Sequence, residues 1–176
     1  YVLMLRFIDS LLTAYGLDTG VTNFVNRVEL HVNPLANPDG TYHGGNSTVA
    51  GATRYNVNGV DLNRNFPDFN AGDHPDGNLW QSETLAMMNF ATLHSIVLSA
   101  NFHGGDEVVN YPWDSKSARH VDDSWLQKVS RIYADSCHAH SPVGYMTFLH
   151  NGITNGWDWY PVFGGRQDYM TYWMGS

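Results

Sequence analysis

A single cysteine, Cys137, rules out any disulfide within the chain and leaves the redox compartment undecided, since reducing and oxidising environments both tolerate one thiol. Basic residues are scarce. Nine Lys and Arg against 17 Asp and Glu leave a formal charge of −8, and the cations are scattered singly. This excludes a broad face for nucleic acid or for an anionic membrane, while leaving room for a local pocket that takes a basic or small peptide ligand. No apolar run approaches the roughly 20 residues that span a bilayer, so no membrane span is expected, and no signal peptide is visible. No repeat, low-complexity tract or linker divides the 176 residues. Their 43% apolar and 14% aromatic content suffices for the core of one domain over 1–176.

What is present alternates between helical and extended patterns. "VLMLRFIDSLL" (2–12) has apolar residues at helical spacing, and Gly16 supplies a stop. "RVELHV" (27–32) alternates as a strand, "NPLANPDG" behind it is dense turn chemistry, and residues 41–55 read as an irregular loop. "GVDL" (59–62) reads as a short strand followed by a polar loop from Pro67 to Leu79. "SETLAMMNFATLHS" (82–95) reads as a helix with Ser82 as its cap and with Leu85, Met88, Phe90 or Ala91, and Leu93 on one side. "IVLSANF" (96–102) is a continuous apolar run, the pattern of a fully buried parallel strand. "VVNYPW" (108–113) reads as another strand. "DDSWLQKVSRIYADSCHAH" (122–140) reads as an amphipathic helix with Trp125, Val129, Ile132 and Cys137 inward. The glycine- and aromatic-rich C-terminal part reads mostly as loop, with a short helix after Thr154. The fold class expected is α/β, with a mixed, mostly parallel sheet flanked by helices.

In open α/β sheets, ligands gather beyond the carboxyl ends of the strands, and two of the expected strands end in reactive chemistry. His103 follows "IVLSANF" and precedes two glycines that let a backbone or ligand approach. It suits a metal ligand, a general base, or a core histidine held by hydrogen bonds. Asn63 and Arg64 follow "GVDL". An arginine can grip a carboxylate with two parallel hydrogen bonds, which Lys cannot reproduce. Arg64 could equally tie down its own loop through Asp61, Asp68 or a carbonyl, and Arg54, nine residues before Asn63, has the same two readings. His138 and His140 alone among the other histidines have ligand-like spacing, which on a helix end also describes a solvated surface.

Taken in order, "NPDG", Arg54 ahead of "GVDLNRNFPD", "SANFHGG", "VVNYPWD" and "GITNGWDWYPVFGGRQD" resemble the zinc metallocarboxypeptidases, in particular the branch of the regulatory carboxypeptidases N, E, D and M. The resemblance runs from Tyr1 to Ser176. It implies a zinc-dependent hydrolysis of the last peptide bond, with peptide or protein C-termini as partners and one amino acid as product. It implies roles by position: His103 as the third zinc ligand, Asn63 and Arg64 as the clamp on the terminal carboxylate, and Arg54 as the group that polarises the carbonyl and stabilises the oxyanion. Asp61 falls where the family keeps a carboxylate that hydrogen-bonds a zinc-ligating histidine, and Tyr160 where a mobile tyrosine closes over the bound carboxylate. Asp114 matches the acid that selects Lys or Arg side chains, unless it serves only as a turn or capping residue, and Gln167 matches a neighbouring pocket position. Members of the family are mostly secreted, periplasmic or vesicular.

The pattern is incomplete. The family's other two zinc ligands, a His-x-x-Glu pair, would lie just before Tyr1, and its catalytic glutamate just past Ser176. The chain is therefore expected to be the central part of a longer enzyme and inactive alone. Two competing expectations stand beside this: a non-catalytic carboxypeptidase-like module that binds peptide C-termini, and an α/β domain with no peptide ligand.

Overall fold

The computed structural model describes residues 1–176 as two compact units, 1–53 and 54–176. In the first, α1 (Val2–Ala14) ends before Gly16, whose φ of +80° only glycine adopts readily. Helix α2 (Thr19–Arg27) starts where the Asp18 carboxylate accepts from the Val21 N–H at 2.9 Å. The first "NPDG" residue, Asn37, caps the short α3 (Pro38–Thr41) by accepting from the Gly40 N–H at 2.9 Å. The strand expected at 27–32 does not form: α2 extends through Arg27, and residues 28–32 belong to no ladder. Alternation marks which side chains share a face, but it supplies no partner strand.

The second unit is mixed α/β. Strand β1 (Val109–Tyr111) pairs in parallel with β2 (Ile153–Asn155), with Val109 opposite Ile153 and Tyr111 opposite Asn155. A parallel pair needs a crossover. Here that connection contains α5 (Asp123–His140), which packs on both strands. Its inward positions are the small residues Ser130 and Ala134, while Trp125 and Ile132 are exposed, contrary to the sequence expectation. Small side chains let the helix lie close to the sheet, and the larger ones are turned aside. Helix α4 (Ser82–Leu93) forms as expected, with Gln81 rather than Ser82 at its cap position and with Thr84, Met88 and Ala91 inward instead of Leu85 and Leu93.

Two further expected strands are absent. At "GVDL", Gly59 turns with φ +74°, Asp61 makes only a single bridge with Tyr55, and Leu62–Arg64 form one 3-10 turn capped by Asp61. Residues 96–102 join no strand, and Val97 is 85% exposed. The C-terminal part is more ordered than a loop. The helix expected after Thr154 is α6 (Gly156–Trp159), and an unexpected α7 (Arg166–Trp173) follows. Tyr169 and Met170 of α7 pack with Phe66 and with Met88 and Ala91 of α4 to make the core. That packing sets the first turn of α7 beside the 3-10 turn and the sheet's carboxyl end.

Candidate active site

Asp61 organises the residues around the expected clamp. Its carboxylate accepts from the Asn63 N–H at 3.0 Å, forms an ion pair with the Arg54 Nε, and lies 3.9 Å from the Arg64 Nη1. Arg64 also donates to its neighbour's carbonyl, Asn63 O, at 2.8 Å. The loop-tying reading of Arg64 is thus realised, and its side chain still keeps donors for a ligand because a guanidinium carries five.

The orientation of the Asn63 amide follows from its partners. Its Oδ1 accepts from the Arg166 backbone N–H at 3.0 Å and from Asn101 Nδ2 at 3.3 Å. A backbone N–H can only donate, so the oxygen faces α7 and the Asn63 NH₂ is left as a donor. Asn101 Nδ2 also lies 3.0 Å from the His103 Nε2, which joins the histidine to the clamp through one amide. Burial, and then the nearby Arg54 charge, lower the His103 pKa below the ordinary histidine value. Both favour the neutral imidazole that a metal requires. Asp61 acts on His103 in the opposite direction, and Arg64 and Arg166 act with Arg54.

The expected selector sits at the carboxyl end of β1. Asp114 is 4% exposed and has no cationic partner; its Oδ1 accepts from Asn110 Nδ2 at 2.9 Å and from Gln167 Nε2 at 3.1 Å. Burial, reinforced by the charge of Asp168, pushes its pKa up to about 7. Asp168 is buried in turn. Its carboxylate accepts from the Asp114 and Ser115 N–H groups, at 2.9 Å each, and from the Ser115 hydroxyl at 2.7 Å. Asp114 and Gln167 are therefore brought together, as are Arg54, Asp61, Asn63, Arg64 and His103. Tyr160 stands apart: it follows α6, is 44% exposed, and packs edge-on against Trp159.

Three structural supports escaped sequence reasoning. The Asn65 side chain, fully buried, accepts from the Gln81 N–H at 2.8 Å and the Thr84 hydroxyl at 2.9 Å, and donates to Asp76 at 3.1 Å and Leu79 O at 3.2 Å. Asp68 holds the loop after the clamp by accepting from the N–H groups of Asn70 and Ala71, and accepts from the Gly164 N–H at 3.2 Å. Asp168 is the third. A polar residue followed directly by an aromatic one, as in "NF", "DF" and "DY", is the only sequence signal they give.

The family model for zinc carboxypeptidases matches residues 1–176. The chain belongs to the zinc carboxypeptidase family. This zinc carboxypeptidase chain is 39% identical over 186 residues to carboxypeptidase D of Anas platyrhynchos, 33% over 198 residues to carboxypeptidase M of Mus musculus, and 33% over 188 residues to the carboxypeptidase N catalytic chain of Homo sapiens. These alignments cover 95%, 97% and 85% of the chain but only 13%, 41% and 40% of the relatives. No helix is long and apolar enough to cross a membrane. The family's zinc finds one fitting donor among the gathered residues, the His103 imidazole. Catalytic zinc is held by three protein ligands, and the facing carboxylate, Asp61, is already shared by Arg54 and Arg64.

Proposed function

We propose that residues 1–176 belong to a single zinc carboxypeptidase catalytic domain, of a protein that removes one residue, Lys or Arg, from peptide C-termini. One observation carries this reading. The neighbours Asn63 and Arg64, with donors to spare, and the buried acid Asp114, which has no ion-pair partner, are both tied to the first turn of α7, through Arg166 N and Gln167 Nε2. Arg64 and the Asn63 NH₂ would hold the terminal carboxylate, while Arg54 would leave Asp61 to face the oxygen on which charge develops. Asp114 would take the basic side chain, with Gln167 beside it, and Tyr160 would swing from Trp159 over the bound end.

His103 would hold zinc as one of its ligands, and the bound ion would supply Lewis acidity and a water of pKa near 7. Because His103 is the one donor in place, the 176 residues alone are expected to bind C-termini without turnover. Secretion or a vesicular location fits this reading. The decisive measurement is zinc content together with arginine release from a peptide ending in Arg, made on the full-length protein. Stoichiometric zinc and release are expected; neither of them, with peptide binding retained, would favour a non-catalytic binding module.

The Asp114 reading carries its own pH signature. Below about pH 7 the buried carboxyl is protonated, so attraction for a cationic side chain fades as pH falls through that value. The ratio of arginine to phenylalanine release is expected to drop several-fold between pH 8 and pH 6, and to become low and flat in Asp114→Asn. An unchanged ratio in that variant would remove Asp114 as selector. For the unliganded protein the sign runs the other way. A pKa raised on folding means the native state binds this proton more tightly, so this group's destabilising effect is relieved as pH falls from 7 toward the ordinary carboxylate range.

A further inference from the structure

We propose that Arg166 is an additional carboxylate-binding residue, which grips the ligand's C-terminal carboxylate alongside Arg64; this rests on the carboxypeptidase reading above. Arg166 opens α7, and its backbone N–H is committed to Asn63. Its side chain is not committed. Nη1 reaches only the Ala100 carbonyl, at a long 3.4 Å, and Nε is buried with no hydrogen-bond partner. Of the three arginines that are not exposed, Arg64 and Arg131 each lie within 4.0 Å of a carboxylate, whereas Arg166 has no ion pair in a chain with nearly twice as many acids as bases.

A half-buried guanidinium without a counter-ion is costly, because the water it loses is not replaced. Burial lowers the Arg166 pKa accordingly. The position of this cation gives the imbalance a use. Arg54, Arg64 and Arg166 all act on His103, against the single carboxylate of Asp61, so three cations and one acid gather around that imidazole. The planar guanidinium offers adjacent Nε and Nη donors that match the two oxygens of a carboxylate. A bound carboxylate would give Nε the acceptor it lacks.

The competing role is a strap that holds residues 96–102 through Ala100, and two ligands separate the alternatives. Free arginine and agmatine share one cationic side chain, but only arginine has a carboxylate. Calorimetric titration of the full-length protein with each is the test, comparing wild type with Arg166→Gln and Arg166→Lys. Arg166→Gln is expected to weaken arginine by about 10-fold or more and to leave agmatine unchanged, with Arg166→Lys in between. Unchanged arginine binding, or equal loss for both ligands, would overturn the proposal. A wild-type protein that binds neither ligand would overturn the carboxypeptidase reading itself, and this assignment with it.

Discussion

Arg64→Ala is expected to lower kcat/KM for release of a C-terminal arginine by roughly 30- to 3,000-fold, the range for removing one partner of a desolvated, hydrogen-bonded charge pair. The loss should fall mainly on KM, because the terminal carboxylate is present in substrate and transition state alike. Arg64→Lys keeps the charge but not the paired donors, so it should recover only part of the activity. The structure offers a specific rival: Arg64 also holds the Asn63 carbonyl at 2.8 Å and lies near Asp61. If Arg64 served only that loop, Arg64→Ala would change kcat/KM by less than about threefold while lowering the melting temperature. Measuring both quantities on the same preparations separates the two roles.

Gly156→Ala should destabilise the second unit by about 3 kcal/mol or more, through overpacking together with loss of buried hydrogen bonds. Gly156 follows β2 at the carboxyl end of the sheet, and a Cβ built there would lie 1.6 Å from Asp114 Oδ1 and 2.8 Å from its Cγ. The acid would have to leave Asn110 and Gln167, its two neutral donors. A fall of roughly 6–12 °C in melting temperature is the corresponding readout. Gly165→Ala is the control, since its Cβ would meet Val162 Cγ1 at 3.3 Å and Asp114 Oδ2 only at 3.5 Å, an ordinary contact. Asp114→Ala placed in the Gly156→Ala background should restore part of the loss, and strict additivity of the two would show that the clash is not the cause.

The candidate site residues were legible in the sequence through the family resemblance of the short motifs that hold them. Asn63, Arg64, Arg54 and His103 come together, and so do Asp114 and Gln167. The helices at 2–14, 82–93 and 123–140 were legible too, as periodic segments of three turns or more. The sheet was much less so. At 27–32, 59–62 and 96–102 the pattern records which side chains could share a face, but a strand also needs a partner in register, and that is not written in any one segment. Gly59 and Asp61 show the local competition: one takes a positive φ and the other caps a 3-10 turn, so "GVDL" bends where its apolar residues suggest extension. Helix α7 was hidden for a different reason. Its aromatic residues favour strands and its leading glycines favour loops, yet packing of Tyr169 and Met170 into the core outweighs both preferences.

Three consecutive residues of α7 reach three different targets: Arg166 N the Asn63 amide proposed for the clamp, Gln167 the proposed selector Asp114, and Asp168 the backbone that carries that acid. One turn of helix thus works as a fixed gauge. The distance from the place that would hold a chain's end to the place that would hold its last side chain is set by peptide geometry within a single rigid element, without reliance on a flexible loop. A ligand lacking a free end would leave the first mark unfilled. On this reading the habit of counting a single residue from the terminus is a property of α7's first turn before any bond is broken.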